Sequence, residues 1–164
     1  MSQIYILCVD DEADVLDVVI RDLAGFEDAF PIESAENVPA ARAIIERILR
    51  KGDRIGLIYC DHVMPGENGV DFLVELQKNE MLHNTRKILL TGQAGLDATI
   101  IAVNKANLAH YVAKPWDSAD LVDITRKQLA TFVINEGADP RPFSEFLDPV
   151  IMAEAIRKGL LSDR

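Results

Sequence analysis

The chain has 164 residues, 49% of them hydrophobic and 27% charged, which suits one globular domain and argues against a disordered chain. It carries 17 basic against 27 acidic residues, a formal charge of −10 that disfavours nucleic acid or an anionic membrane surface as partner. Its apolar runs are strand-length, no signal peptide opens it, and Cys8 and Cys60 make no disulfide framework, so a cytoplasmic location is expected.

Ile4-Tyr5-Ile6-Leu7-Cys8-Val9 is almost unbroken hydrophobic sequence, which predicts a strand covered on both faces in a parallel sheet. Leu16, Val19, Ile20 and Leu23 then line one face of a helix, with Gly25 as its stop. The run 29–34 predicts a weaker strand. Pro31 lacks a ladder donor and places that strand at a sheet edge. Ala41, Ile44, Ile45, Ile48 and Leu49 mark a second helix that ends at Arg50-Lys51-Gly52. Further strands are expected over 55–60, 87–91 and 108–113. Helices are expected around Phe72, Leu73 and Leu76, over 97–105, and over 117–133 with Leu121, Leu129 and Phe132 inward.

Five βα units in succession imply right-handed crossovers and a doubly wound α/β domain, residues 1–133, on a five-stranded parallel sheet. Residues 134–164 differ. Gly137, Pro140, Pro142 and Pro149 interrupt them, which predicts an extended connector and then a short amphipathic helix. That helix starts at Asp148-Pro149 and carries Met152, Ile156 and Leu160 at i, i+4 and i+8. The C-terminal helical extension reads equally as extra core or as a partner-binding or dimerisation element.

Open α/β sheets place their sites at the carboxyl ends of the strands. There stand Asp10-Asp11-Glu12, Asp61, Thr91 and Lys114-Pro115, far apart in sequence and converging on one rim. Crowded carboxylates raise one another's pKa, and a hard divalent cation such as Mg²⁺ relieves the repulsion. A carboxylate beside Mg²⁺ can attack a phosphoryl group, while Thr91 and Lys114 bind its oxygens. The plainer alternative is that Asp10-Asp11-Glu12 caps the first helix, a role compatible with metal binding.

Asp10-Asp11-Glu12, the run from Asp61 to Gly69 with its Pro65, Thr91-Gly92 and Lys114-Pro115 together resemble the receiver domain of two-component response regulators. The resemblance covers about residues 4–133 and implies the flavodoxin-like strand order 2-1-3-4-5. It implies that Asp61 accepts the phosphoryl group. Asp11 would bind Mg²⁺ directly and Asp10 through water, with Asp61 and the Val63 backbone carbonyl completing the protein ligands. Thr91 and Lys114 would contact the phosphoryl group, Thr91 and Tyr111 would form the switch, and Lys114–Pro115 would be a cis peptide. The resemblance further implies a histidine kinase or histidine phosphotransfer protein as phosphodonor and an unknown downstream protein as output. A homodimer is a further possible partner state.

Such a domain is a switch whose own chemistry is limited to slow self-phosphorylation from small phosphodonors and self-dephosphorylation. The rival function is a phosphate-independent scaffold acting through the extension. An aspartate-nucleophile phosphatase is disfavoured, because Val63 stands where that class needs a second acid two residues after its nucleophile. A dinucleotide fold is disfavoured because no G-x-G-x-x-G follows the first strand. Cys8 and Cys60 read as core thiols rather than a redox pair, His62 as a loop histidine rather than a metal ligand, and Trp116 as a wall beside the site.

Overall fold

The computed structural model describes residues 2–92 and 102–161. Five parallel strands, β1 (Ile4–Val9), β2 (Ile32–Ala35), β3 (Arg54–Asp61), β4 (Arg86–Thr91) and β5 (His110–Ala113), form one sheet in the order β2-β1-β3-β4-β5. Around them run α1 (Ala13–Asp22), α2 (Val38–Arg50), α3 (Gly69–Gln77), α4 (Ser118–Glu136) and α5 (Pro149–Arg157). This is the expected doubly wound α/β architecture with its C-terminal helical extension.

Strand alternation divides the core into two layers. Ile4, Ile6 and Cys8 of β1, with Leu57 and Tyr59 of β3, face α1 and α4. Tyr5, Leu7 and Val9, with Ile58 and Cys60, face α2 and α3. Every β1 side chain is buried, which is why the run carries no polar alternation. Cys8 and Cys60 therefore lie in opposite layers and cannot pair. Burial pushes the Cys8 thiol up to about 12, helped by the Glu27 charge, and raises Cys60 as well, so both are inert packing residues.

Several element boundaries depart from the sequence pattern, each for a local reason. The second strand begins at Ile32 rather than residue 29, because Pro31 precedes the ladder and contributes only its carbonyl, to Ile6 N–H at 2.9 Å. It lies at the sheet edge as expected. The first helix ends at Asp22, before Gly25. The chain then tightens into a 3₁₀ turn, Ala24–Phe26, that buries Leu23, Phe26 and Phe30. The fifth strand starts at His110, not Leu108, because Asn107 adopts a left-handed conformation at φ 54° that turns the chain first. Of the helix expected over 97–105, residues 97–101 lie outside the described residues, and Ala102–Ala106 form a single π-helical turn.

The helix expected over 117–133 runs Ser118–Glu136, capped by the Asp117 carboxylate and closed by Gly137 at φ 70°. Its predicted inward residues Leu121, Leu129 and Phe132 are all buried. The segment beyond it is not extended. Arg141–Phe146 forms a 3₁₀ helix, and Phe143 stacks on Phe30 with ring centroids 4.8 Å apart. Phe146 packs near Phe26 and Phe30, and Leu147 and Ala155 are buried with them. The tail is thus laid back on the domain, with Asp148 capping α5 and Val150, Ile156 and Leu160 left exposed.

Candidate functional site

Because all five strands run the same way, β1, β3, β4 and β5 deliver Asp10, Asp61, Thr91 and Lys114 to one end of the sheet. Asp10 follows β1 and is fully buried; Asp61 closes β3 and Thr91 closes β4, both nearly as inaccessible. One carboxylate oxygen from each of Asp10, Asp11 and Asp61 lies within 4.8 Å of the others. Lys114 Nζ donates to Asp10 Oδ2 at 2.7 Å and to Asp61 Oδ1 at 3.0 Å. The sheet thus collects three carboxylates and one ammonium whose sequence positions span more than a hundred residues.

The first-helix acids are not side-chain caps. Glu12 occupies the cap position without a side-chain cap hydrogen bond, and Asp10 Oδ1 accepts the Glu12 backbone N–H at 2.9 Å. Asp11 Oδ1 is buried with no hydrogen-bond partner among the described residues. An orphaned carboxylate oxygen beside two further carboxylates is costly unless a cation joins them. The donor set is all oxygen, which suits a hard cation rather than a nitrogen- or sulfur-seeking metal. His62 belongs to no metal-competent cluster among the described residues.

Burial is the largest cause that pushes the Asp61 carboxyl up to about 6. Lys114 opposes it by hydrogen bond and charge, while Asp10 and Asp11 add to it. Burial alone would lower the Lys114 ammonium, but its bonds to Asp10 and Asp61 outweigh that and leave it raised. Lys114 is therefore the cation that holds the pocket together.

The loop after Asp61 is short and tightly turned. His62 N–H donates to Leu90 O at 3.1 Å, Gly66 sits at φ 87°, and the Asn68 side chain caps α3 through Val70 N–H at 2.7 Å. Gly69 N–H closes the loop on His62 O at 2.8 Å. A Cβ at Gly69 would lie 1.8 Å from the Asp61 backbone oxygen, so only glycine lets α3 start against the end of β3. The Val63 side chain is 73% exposed on this loop.

On the other rim, Lys114 N–H donates to Thr91 O at 2.8 Å and the Lys114–Pro115 peptide is cis. Tyr111 on β5 is 44% exposed, near His110. Trp116 forms a wall as expected, bordering a cavity of about 360 Å³ with Val15, Val18 and Lys114. Sequence patterning missed what holds it: Asp22, the last residue of α1, accepts Trp116 Nε1–H at 2.8 Å and Ser118 Oγ–H at 2.9 Å. An acid at a helix C-terminus opposes the helix dipole, and that local conflict is the only signal the sequence carried.

The family model described as "Response regulator receiver domain" matches residues 6–126. The chain belongs to the response regulator receiver family. Among curated relatives, it is 31% identical over 126 residues to the hydrogenase transcriptional regulatory protein HoxA of Cupriavidus necator, covering 77% of this chain and 24% of that protein. HoxA of Bradyrhizobium diazoefficiens is 24% identical over 94% of this chain and 30% of its own length. The phosphate regulon transcriptional regulatory protein PhoB of Pseudomonas aeruginosa is 32% identical over 71% of this chain and 48% of its own. The chain thus spans between a quarter and a half of these relatives.

Solved receiver structures share the fold. The receiver domain of an HD domain-containing protein from Pseudomonas fluorescens Pf-5 superposes with TM-score 0.71 at 22% identity, over 84% of this chain and 94% of that one. A CheY-like receiver from Methanospirillum hungatei JF-1 gives 0.68 at 25% identity, over 80% and 97%. Among the described residues no helix is long and apolar enough to cross a membrane.

Proposed function

We propose that this receiver is a phosphoacceptor switch of a two-component or phosphorelay system, with Asp61 as the acceptor. The supporting observation is the convergence of Asp10, Asp11 and Asp61 within 4.8 Å, with Lys114 bonded to two of them. Asp10, Asp11, Asp61 and the Val63 carbonyl would hold Mg²⁺, which supplies charge neutralisation where the phosphoryl oxygens gather.

The protein's own groups have these roles. An Asp61 carboxylate oxygen attacks phosphorus in a donor phosphohistidine or small acyl phosphate. A new O–P bond forms, the bond to the donor breaks, and the leaving group takes the electron pair, the histidine departing as a protonated imidazole nitrogen and the acyl phosphate as a free carboxylate. At neutral pH Asp61, at about 6, is mostly ionised and able to attack. Lys114, already 3.0 Å from the attacking carboxylate, moves onto a phosphoryl oxygen and retains its bond to Asp10. The Thr91 hydroxyl, buried at the end of the neighbouring strand, binds a second oxygen. Tyr111 turns inward as Thr91 moves, biasing the β5 surface towards a second state.

Histidine kinases or histidine phosphotransfer proteins are the donor class, and the output is a protein contact. The segment 134–161, packed on the core through Phe143 and Leu147, belongs mechanically with the receiver. Labelling by a small acyl phosphate donor tests the reading. Wild type should be labelled with Mg²⁺ and not with excess chelator, and folded Asp61→Asn should remain unlabelled. Equal labelling of Asp61→Asn would overturn the assignment.

A further inference from the structure

One charged side chain outside the acidic pocket is tied to the loop that closes it. Arg42, on α2, places two forks on two acids. Nη1 and Nη2 donate to Glu67 Oε1 and Oε2 at 2.8 and 2.6 Å, while Nε and Nη2 donate to Glu75 Oε2 and Oε1 at 2.9 and 2.6 Å. The guanidinium carbon also lies 5.9 Å from the centre of the Phe72 ring. Glu75 belongs to α3, but Glu67 belongs to the loop between Asp61 and α3, four residues after Val63. One guanidinium thus joins α2, α3 and the metal-site loop.

A single exposed ion pair would count for little here, since the Arg42 side chain is 40% exposed. The two forks change that, because one ordered side chain serves both acids and the planar fork matches each carboxylate. The loop has few other restraints between its ends. Val63 is largely exposed, Gly66 needs a positive φ, and Met64 is the buried side chain of the stretch. Glu67 is where a side chain from outside the loop fastens it.

We propose that Arg42 is a positioning residue for the cation site, acting through Glu67 to hold the loop that supplies the Val63 carbonyl. The proposal rests on reading the Asp10–Asp11–Asp61 pocket as a Mg²⁺ site. It makes metal affinity depend on fork geometry rather than on charge. Removing the positive charge alone would favour a nearby cation, whereas loosening the loop disfavours it. Replacement of arginine by lysine separates the two effects, because lysine keeps the charge and loses the fork.

The test is calorimetric Mg²⁺ titration of the full chain, with Trp116 fluorescence as a second readout and thermal melts to confirm folding. Arg42→Lys and Glu67→Gln should each weaken Mg²⁺ binding about threefold, and the double variant should be no weaker than either alone. Asp11→Asn should lose Mg²⁺ binding altogether. If wild type binds Mg²⁺, Asp11→Asn does not, and Arg42→Lys binds as wild type does, the clamp is refuted while the pocket stands. If wild type fails to bind Mg²⁺, the pocket reading and the clamp fall together.

Discussion

Gly69→Ala is the substitution through which the Asp61 pocket can be disturbed without touching a charged residue. The added Cβ would lie 1.8 Å from the Asp61 carbonyl oxygen, about 1.2 Å inside the 3.0 Å that real Cβ contacts respect. It would also lie 2.9 Å from the Asp61 carbonyl carbon and 3.1 Å from Cys60 Sγ. Two of these atoms are backbone of a central strand, so α3 must retreat instead. That retreat breaks the 2.8 Å bond from Gly69 N–H to His62 O and misaligns the Asn68 cap.

Overpacking of this kind costs about 1–3 kcal/mol and a lost cap about 1 kcal/mol, against which alanine's better helix propensity returns up to about 1 kcal/mol. The expected loss is about 2–3 kcal/mol, or roughly 5–10 °C in melting temperature for a chain of this size. Denaturant unfolding measures the stability, and Mg²⁺ titration of the folded variant should show weaker binding because the loop carrying Val63 moves with α3. Stability within about 0.5 kcal/mol of wild type and unchanged Mg²⁺ affinity would show that α3 does not depend on glycine at this position.

Three further expectations concern burial and charge. Lys87 is fully buried, its ammonium donating to Gln77 Oε1 at 2.7 Å and to the Leu82 and Thr85 carbonyls at 2.9 Å; burial, then the Arg86 charge, lowers it to about 8. The unfolded chain therefore holds the extra proton between pH 8 and 10.5, so wild-type stability should rise by about 3 kcal/mol relative to Lys87→Met over that range; a pH-independent difference would refute it. Asp61, raised from 3.8 to about 6, makes the opposite kind of contribution, present at low pH and lost as pH rises through that window. Asp61→Asn should thus be the more stable protein at pH 7 without metal, by on the order of 2–3 kcal/mol, with the advantage shrinking towards pH 4; chemical denaturation across pH decides it. Phe143→Ala, removing a ring 8% exposed and stacked on Phe30, should cost about 3 kcal/mol and leave Mg²⁺ affinity unchanged, whereas a loss under 1 kcal/mol would show that the tail is not core.

The readable parts of the sequence were those where one physical demand acts alone. Ile4–Val9 is buried on both faces, so composition reveals the strand, and Asp10 and Asp61 stand out because acids interrupt apolar runs at strand ends. The unreadable parts depend on partners distant in sequence. Nothing local marks Arg42 as the partner of Glu67, or Asp22 as the partner of Trp116, because helix-surface charges look alike until α2 and α1 are placed. Lys87 in the sequence simply opens a strand, and its ammonium is accommodated because Gln77 and the turns at 82 and 85 offer oxygens. The tail was ambiguous for the same reason. Phe143 and Phe146 are apolar in either reading, and the placement of Phe26 and Phe30 determines where they pack.

Peptide mapping of the phosphorylated protein decides whether Asp61 is the phosphoacceptor. After incubation with Mg²⁺ and a small acyl phosphate donor, mass spectrometry should locate the phosphoryl group on the peptide containing Asp61, at Asp61 itself, and find none in the Asp61→Asn chain. A phosphoryl group on any other residue of wild type, with Asp61 unmodified, would contradict the account.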